Sequence, residues 1–144
     1  MGAGAEACAA AFQGRVACAD LRNGSLRWTR ELGAGSGIAR DRSGIYVVDL
    51  TSQVHGLAAN GGASLWRNDR LTHRALTTPA ALPAAVAVGD LAGFVHFLTP
   101  AEGRIVARVQ VDSSAIVARP LPVDDRSLLV QTSDGTLALL ALGR

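Results

Sequence analysis

Short apolar runs of four to seven residues, rich in Val, Ile, Leu and Ala, recur along the whole chain, and each is closed by Gly, Asp, Asn, Ser or Pro. Runs of that length with that punctuation predict β-strands joined by turns. No window long enough for an amphipathic helix interrupts them. The predicted strands are 7–12, 15–19 and 25–29, then 37–40, 45–48, 53–57 and 64–67. A third set covers 75–78, 84–88, 94–98 and 104–111, and a last one 116–119, 128–131 and 136–140.

The pattern repeats. The segment GRVACADLRNGSLRW from Gly14 returns as SQVHGLAANGGASLW from Ser52 and as GFVHFLTPAEGRIVA from Gly93, and begins again as GTLALLAL from Gly135, at spacings of 38, 41 and 42 residues. Gly24, Gly62 and Gly103 occupy the same turn in successive units. Trp28 and Trp66 follow that glycine by four residues, where the third unit has Ala107. Four-stranded units of roughly 40 residues are blades of a β-propeller. The expected fold is therefore all-β: one partial propeller domain over residues 1–144, with about three and a half blades and units starting near 14, 52, 93 and 135. Blades bury their faces against neighbours, so a set this short is expected to form an open arc with two uncovered end faces.

Between the second and third strand of each unit the turn residues read Gln13-Gly14, Thr51-Ser52, Ala92-Gly93 and Asp134-Gly135. A two-residue hairpin needs positive φ at its centre, which Gly adopts freely. With Gln13-Gly14 as the whole turn, Cys18 opposes Ala9 and Cys8 opposes Ala19, so the two thiols point to opposite faces and no disulfide is expected. A three-residue turn would instead bring them face to face.

The 144 residues are 49% apolar and 18% charged, which suits a folded chain with a substantial core. No apolar run approaches the roughly 20 residues of a membrane-spanning helix. Fourteen Arg, without Lys, stand against 12 acidic residues for a net charge of +2 spread along the chain, which is no nucleic-acid footprint. The start MGAGAEACAAAF lacks the basic and long apolar regions of a secretory signal, and neither cysteine follows a lipoprotein signal. No nucleophile-elbow, P-loop or zinc-protease motif is present, so no catalytic, cofactor-binding or metal-binding residue is assigned. His55 and His96 share a repeat position, but no third ligand accompanies them, and packing between blades is the expectation. Gly14, Gly24, Trp28, Gly62, Trp66, Gly93, Gly103 and Gly135 are read as structural repeat positions. Each Trp is expected to pack on the adjacent blade and to donate its indole N–H to a backbone acceptor.

In a propeller the hairpins named above share one rim with the links that join successive blades. Asp49, Asp90 and Asp134 there are expected to cap local turns. The longer links carry Arg70, His73, Arg74, Asp112 and Ser113, the candidate partner-binding residues, because recognition concentrates on loops held by a rigid scaffold.

The unit Asp20-x-x-x-Gly24-x-x-x-Trp28 resembles the PQQ-like propeller repeat. GRVACADLRNGSLRWTRELG, GIYVVDLTSQVHGLAANGGASLW, LTHRALTTPA, VAVGDLAGFVHFLTPAEGRIVARVQVDSSAIVARPL and QTSDGTLALL together resemble the C-terminal blades of the BamB family of outer-membrane-protein assembly lipoproteins. That family is normally an eight-bladed, lipid-anchored propeller, so the chain looks like a C-terminal portion of one, with the anchor outside it. The resemblance implies a non-catalytic scaffold at the periplasmic face of the outer membrane of a Gram-negative bacterium. It would bind the periplasmic domains of BamA, other components of the assembly machinery and nascent outer membrane proteins, without a cofactor; the uncovered faces of the open arc are separately expected to make the portion self-associate. The alternatives are a piece of a PQQ-dependent quinoprotein dehydrogenase, which shares only the repeat, and a generic propeller adaptor.

Overall fold

The computed structural model describes residues 5–12 and 14–143. Among these residues there is no helix, and the strands form four antiparallel sheets. The first sheet holds β1 (Glu6–Ala10), β2 (Arg15–Asp20) and β3 (Leu26–Glu31), and the second β4 (Ala34–Arg40), β5 (Ile45–Asp49), β6 (Val54–Leu57) and β7 (Ser64–Asn68). In the third are β8 (Ala80–Leu82), β9 (Ala85–Gly89), β10 (Phe94–Leu98) and β11 (Ile105–Gln110). The fourth comprises β12 (Leu121–Pro122), β13 (Ser127–Gln131) and β14 (Leu137–Ala141). Every sheet is a meander. Cys8 of β1, Ile38 and Arg40 of β4, Ala80 of β8 and Pro122 of β12 line one pocket, so the first strands of all four sheets gather on one side and the sheets fan out from it as the blades of a partial propeller.

The core lies between blades. Val16 and Cys18 of the first blade meet Ile45, Val47 and Leu57 of the second. On its other face the second blade sets Tyr46, Val48, Val54 and Trp66 against Val86, Val88 and Leu98 of the third. The third sets Ala85, Ala87, Val95 and Phe97 against Leu128, Val130 and Leu140 of the fourth. Both faces of β5 are thereby covered, which is why Ile45, Tyr46, Val47 and Val48 form an unbroken apolar run and none exceeds 1% exposure. Each such side chain contributes roughly 1.5–3 kcal/mol by leaving water. No equivalent cluster joins the fourth blade to the first among the described residues, and the arc is open.

The hairpins correct the sequence reading by one residue. Asp49 N–H donates to Gln53 O, Asp90 N–H to Phe94 O and Thr132 N–H to Thr136 O, which leaves three residues in each connection, not two. Ser52, Gly93 and Gly135 close these loops at φ of 65°, 85° and 95°, and their N–H groups donate back to Asp49, Asp90 and Thr132. A type I turn followed by one left-handed residue is the common three-residue hairpin. Ser52 holds the left-handed position without being glycine, and its Oγ accepts the buried N–H of Leu76.

In the first blade the same register puts Ala11 opposite Arg15, with Ala11 N–H donating to Arg15 O. The connection is then 12–14 instead of Gln13-Gly14; Gln13 itself lies outside the described residues. Because side chains alternate with period two, the one-residue change brings Cys8 opposite Cys18, and they form a disulfide. The expectation of thiols on opposite faces is thus overturned.

Two predicted strands move. Instead of 75–78 the third blade begins with β8 at Ala80, although Thr77 N–H already donates to Gly89 O. Instead of 116–119 the fourth has an isolated bridge from Ile116 to Thr132 and then β12 at Leu121. Pro79 and Pro120 lie between the early contact and the later strand, and a proline cannot donate to the ladder.

Candidate functional site

The rim is built from the hairpins and the links between blades, and the links are fastened on both sides. In the link from the second to the third blade, His73 N–H donates to Thr51 O of one hairpin and Leu91 N–H of the next donates to Arg74 O. Within the link, Asn68 Oδ1 accepts from Arg70 N–H, and Arg74 N–H donates to Leu71 O. His73 and Ala75 adopt φ of 63° and 51°. Side chains with a Cβ rarely take such angles, and here the flanking hairpins hold them. Arg70 and His73 are exposed at the surface of this fixed segment, while Arg74 reaches down to Asp90 Oδ2 at 3.1 Å.

The next link is built alike. Asp112 Oδ1 accepts from the N–H and the hydroxyl of Ser114, and its Oδ2 accepts from Thr132 Oγ1 at 2.7 Å. Those bonds, led by the Ser114 hydroxyl and Thr132, hold the Asp112 carboxyl well below the usual carboxylate range. Ser133 N–H donates to Ala115 O and Ile116 N–H to Asp90 O, so this link too is tied to both neighbouring hairpins. Asp112 therefore organises the link with its side chain, and Ser113 beside it is exposed. Arg70, His73 and Arg74 come together in one link, whereas Asp112 and Ser113 stand one blade farther along.

The two strand histidines have partners that the sequence reading missed. His55 Nε2 lies 2.8 Å from Asp49 Oδ2, and His96 Nε2 lies 2.7 Å from Asp90 Oδ2. Each aspartate uses its other oxygen to cap the hairpin, as expected: Asp49 accepts from Thr51 and Gln53 N–H, Asp90 from Ala92 and Phe94 N–H. Burial alone would raise the Asp90 carboxyl, but the bonds from His96, Phe94 and Ala92 outweigh it and leave it below its ordinary value. Burial pushes the His96 imidazole down, against the pull of Asp90. The spacing of six residues from Asp to His in both blades was the available signal.

Beneath the Arg70–Arg74 link a cleft of about 560 Å³ opens between β7 and β11. Arg70, Arg74, Arg104 and Arg108 line it, with His96 and Leu71 among its walls. Arg104 and Arg108 were not singled out by the sequence, because only the fold sets them beside Arg70 and Arg74. At the inner end of the first blade Glu6, Cys8 and Cys18 cluster, but the two sulfurs are bonded to each other and Arg40 pairs with Glu6, so this is no metal centre.

The repeat positions act between blades. Trp66 packs on Gly103 of the next blade and donates its indole N–H to Pro100 O at 2.8 Å; Trp28 packs on Gly62 and donates to Ala59 O at 3.3 Å. Gly103 has φ of 70° and the indole stands directly over it, so both the backbone angle and the contact exclude a side chain.

A family profile described as outer membrane protein assembly factor BamB matches residues 2–68 and again 50–142. Proteins of that name are similar in sequence: the one from Bordetella pertussis is 40% identical across 96% of this chain and 36% of its own length. The Pseudomonas aeruginosa protein is 44% identical across 78% of this chain and 30% of its own length, and that of Escherichia coli K12 39% across 90% and 33%. The chain thus spans about a third of the length of these relatives. The crystal structure of BamB from Moraxella catarrhalis superposes with a TM-score of 0.88 at 25% identity, over 99% of this chain and 42% of that one. The computationally designed Ika4 protein shares the fold, with a TM-score of 0.81 at 18% identity.

Proposed function

We propose, because this chain belongs to the BamB family of outer membrane protein assembly factors, that it is a non-catalytic docking platform of the outer-membrane β-barrel assembly machinery. Its place would be the periplasmic face of the outer membrane, and its partners the periplasmic domains of BamA, other components of the machinery and nascent outer membrane proteins. Residues 1–144 would act as one domain. The observation that carries this reading is the doubly fastened rim link, which displays Arg70 and His73 on a backbone fixed by both adjacent hairpins. Such a surface loses little conformational freedom when a partner binds. A scaffold role also fits the chemistry of the interior: both buried histidines are engaged by the aspartates of their own blades, and the cysteines are joined in a disulfide.

Titration calorimetry against the purified periplasmic domains of BamA tests the proposal. Saturable binding is expected, weakened about tenfold, or ~1.4 kcal/mol, when Arg70 and His73 are both replaced by Ala. Absence of binding, or binding indifferent to that pair, contradicts it.

A further inference from the structure

The Arg-lined cleft between β7 and β11 is more than a gap under the link, and we propose that it binds an extended, carboxylate-bearing peptide segment of a partner protein. This rests on the docking reading above and gives it a chemistry. Arg70, Arg104 and Arg108 have no ion-pair partner among the described residues, Arg74 shares the already bonded Asp90, and no carboxylate lines the opening. The three guanidinium groups without a partner repel one another in one concave site, and a ligand that supplies negative charge relieves that repulsion.

The arrangement favours an extended chain over a single anionic group. Arg104 and Arg108 are four residues apart along the outer edge of the third blade, a span of about 13 Å at ~3.3 Å per residue. Arg108 lies over the Phe94 ring, its Cζ 4.7 Å from the centroid, a contact that restrains a side chain able to donate paired N–H bonds to a carboxylate. Leu71 and Ile105 add apolar wall between the charges. An extended peptide that alternates acidic and apolar side chains meets both kinds of surface, and β11 offers it an outer sheet edge. A lipid phosphate would engage one or two of these arginines and leave the apolar wall uncovered.

Fluorescence anisotropy with a labelled short peptide alternating Asp and Val, and with its Asn-for-Asp counterpart, tests the assignment. The whole chain is expected to bind the Asp peptide at least about tenfold more tightly than the Asn peptide, with affinity falling steeply as salt rises. Arg104→Gln combined with Arg108→Gln should remove at least about tenfold of that affinity. Arg42→Gln combined with Arg119→Gln removes the same charge elsewhere and should leave binding unchanged. Equal binding of the two peptides, an equal loss in both double variants, or displacement of the peptide by phosphatidylglycerol vesicles at matched anionic charge overturns the proposal. Because the peptide is read without BamA, a chain that still binds BamA yet ignores the peptide removes the cleft assignment alone.

Discussion

Asp90 and His96 show how much one residue pair can decide. The carboxylate caps its hairpin with one oxygen and fixes the imidazole with the other, while Arg74 reaches the same oxygen from the link. Burial, and then the nearby charges of Arg74 and Arg108, disfavour a proton on His96, although Asp90 favours it, and the net shift is downward. An imidazole with a folded pKa below its unfolded one stabilises the fold fully above about pH 6.5 and loses that contribution as pH falls through the folded value. Asp90, also shifted down, contributes in the same sense only at lower pH, below the ordinary carboxylate value of about 3.9. The thermal midpoint should therefore decline between pH 7 and pH 5. A His96→Asn chain should start lower and show a flatter profile, and an equally steep profile in that variant would assign the decline to other groups. The aspartates were legible in the sequence as turn residues. Their histidine partners were not, because histidines at equivalent positions of successive blades suggest a pairing across blades, whereas the hydrogen bonding is satisfied within each blade.

Among the elements, the hairpin decided the register. Gly93 and Gly135 were recognised as left-handed turn residues, but the same glycine closes a two-residue turn at its centre or a three-residue turn at its end. Composition cannot separate the two, and the one-residue difference moved Cys8 into line with Cys18. Interior strands such as β5, β9 and β10 were predicted to within a residue because their apolar runs are continuous. The edge strands β8 and β12 were misplaced because Pro79 and Pro120 break their pairing into pieces. The clasp of Trp66 on Gly103 was legible as a repeat position packing on the next blade, and the structure adds the Pro100 carbonyl as its acceptor. Trp66→Ala should cost about 3–5 kcal/mol in denaturant unfolding, the range for emptying a large buried site. Trp28, which is less buried, should cost less; equal losses would mean that the two clasps do not differ by burial.

At the largest scale, three inter-blade cores hold four sheets in an arc, and among the described residues nothing covers its two end faces. The outward face of the last sheet carries Leu121, Leu137 and Leu139, between 57% and 63% exposed. On the opposite end, Ala7 pairs with Ala19 and Ala9 with Ala17, beside Leu26, Thr29 and the Arg15–Glu31 ion pair, and among the described residues no side chain stands over Gly24 as Trp28 and Trp66 stand over Gly62 and Gly103. The repeat arithmetic foretold the four sheets from the sequence, with units starting near 14, 52, 93 and 135 at spacings of 38 to 42 residues. It could not foretell the Arg-lined cleft, which exists only once β7 and β11 lie side by side.

Leu121, Leu137 and Leu139 exposed on one end, with Leu26 and Ala9 exposed on the other, should drive copies of this chain together. Size-exclusion chromatography with light scattering reads this directly. At micromolar concentration the open arc predicts a mass well above the 14.8 kDa of one chain, and a cooperatively melting monomer of 14.8 kDa would contradict it.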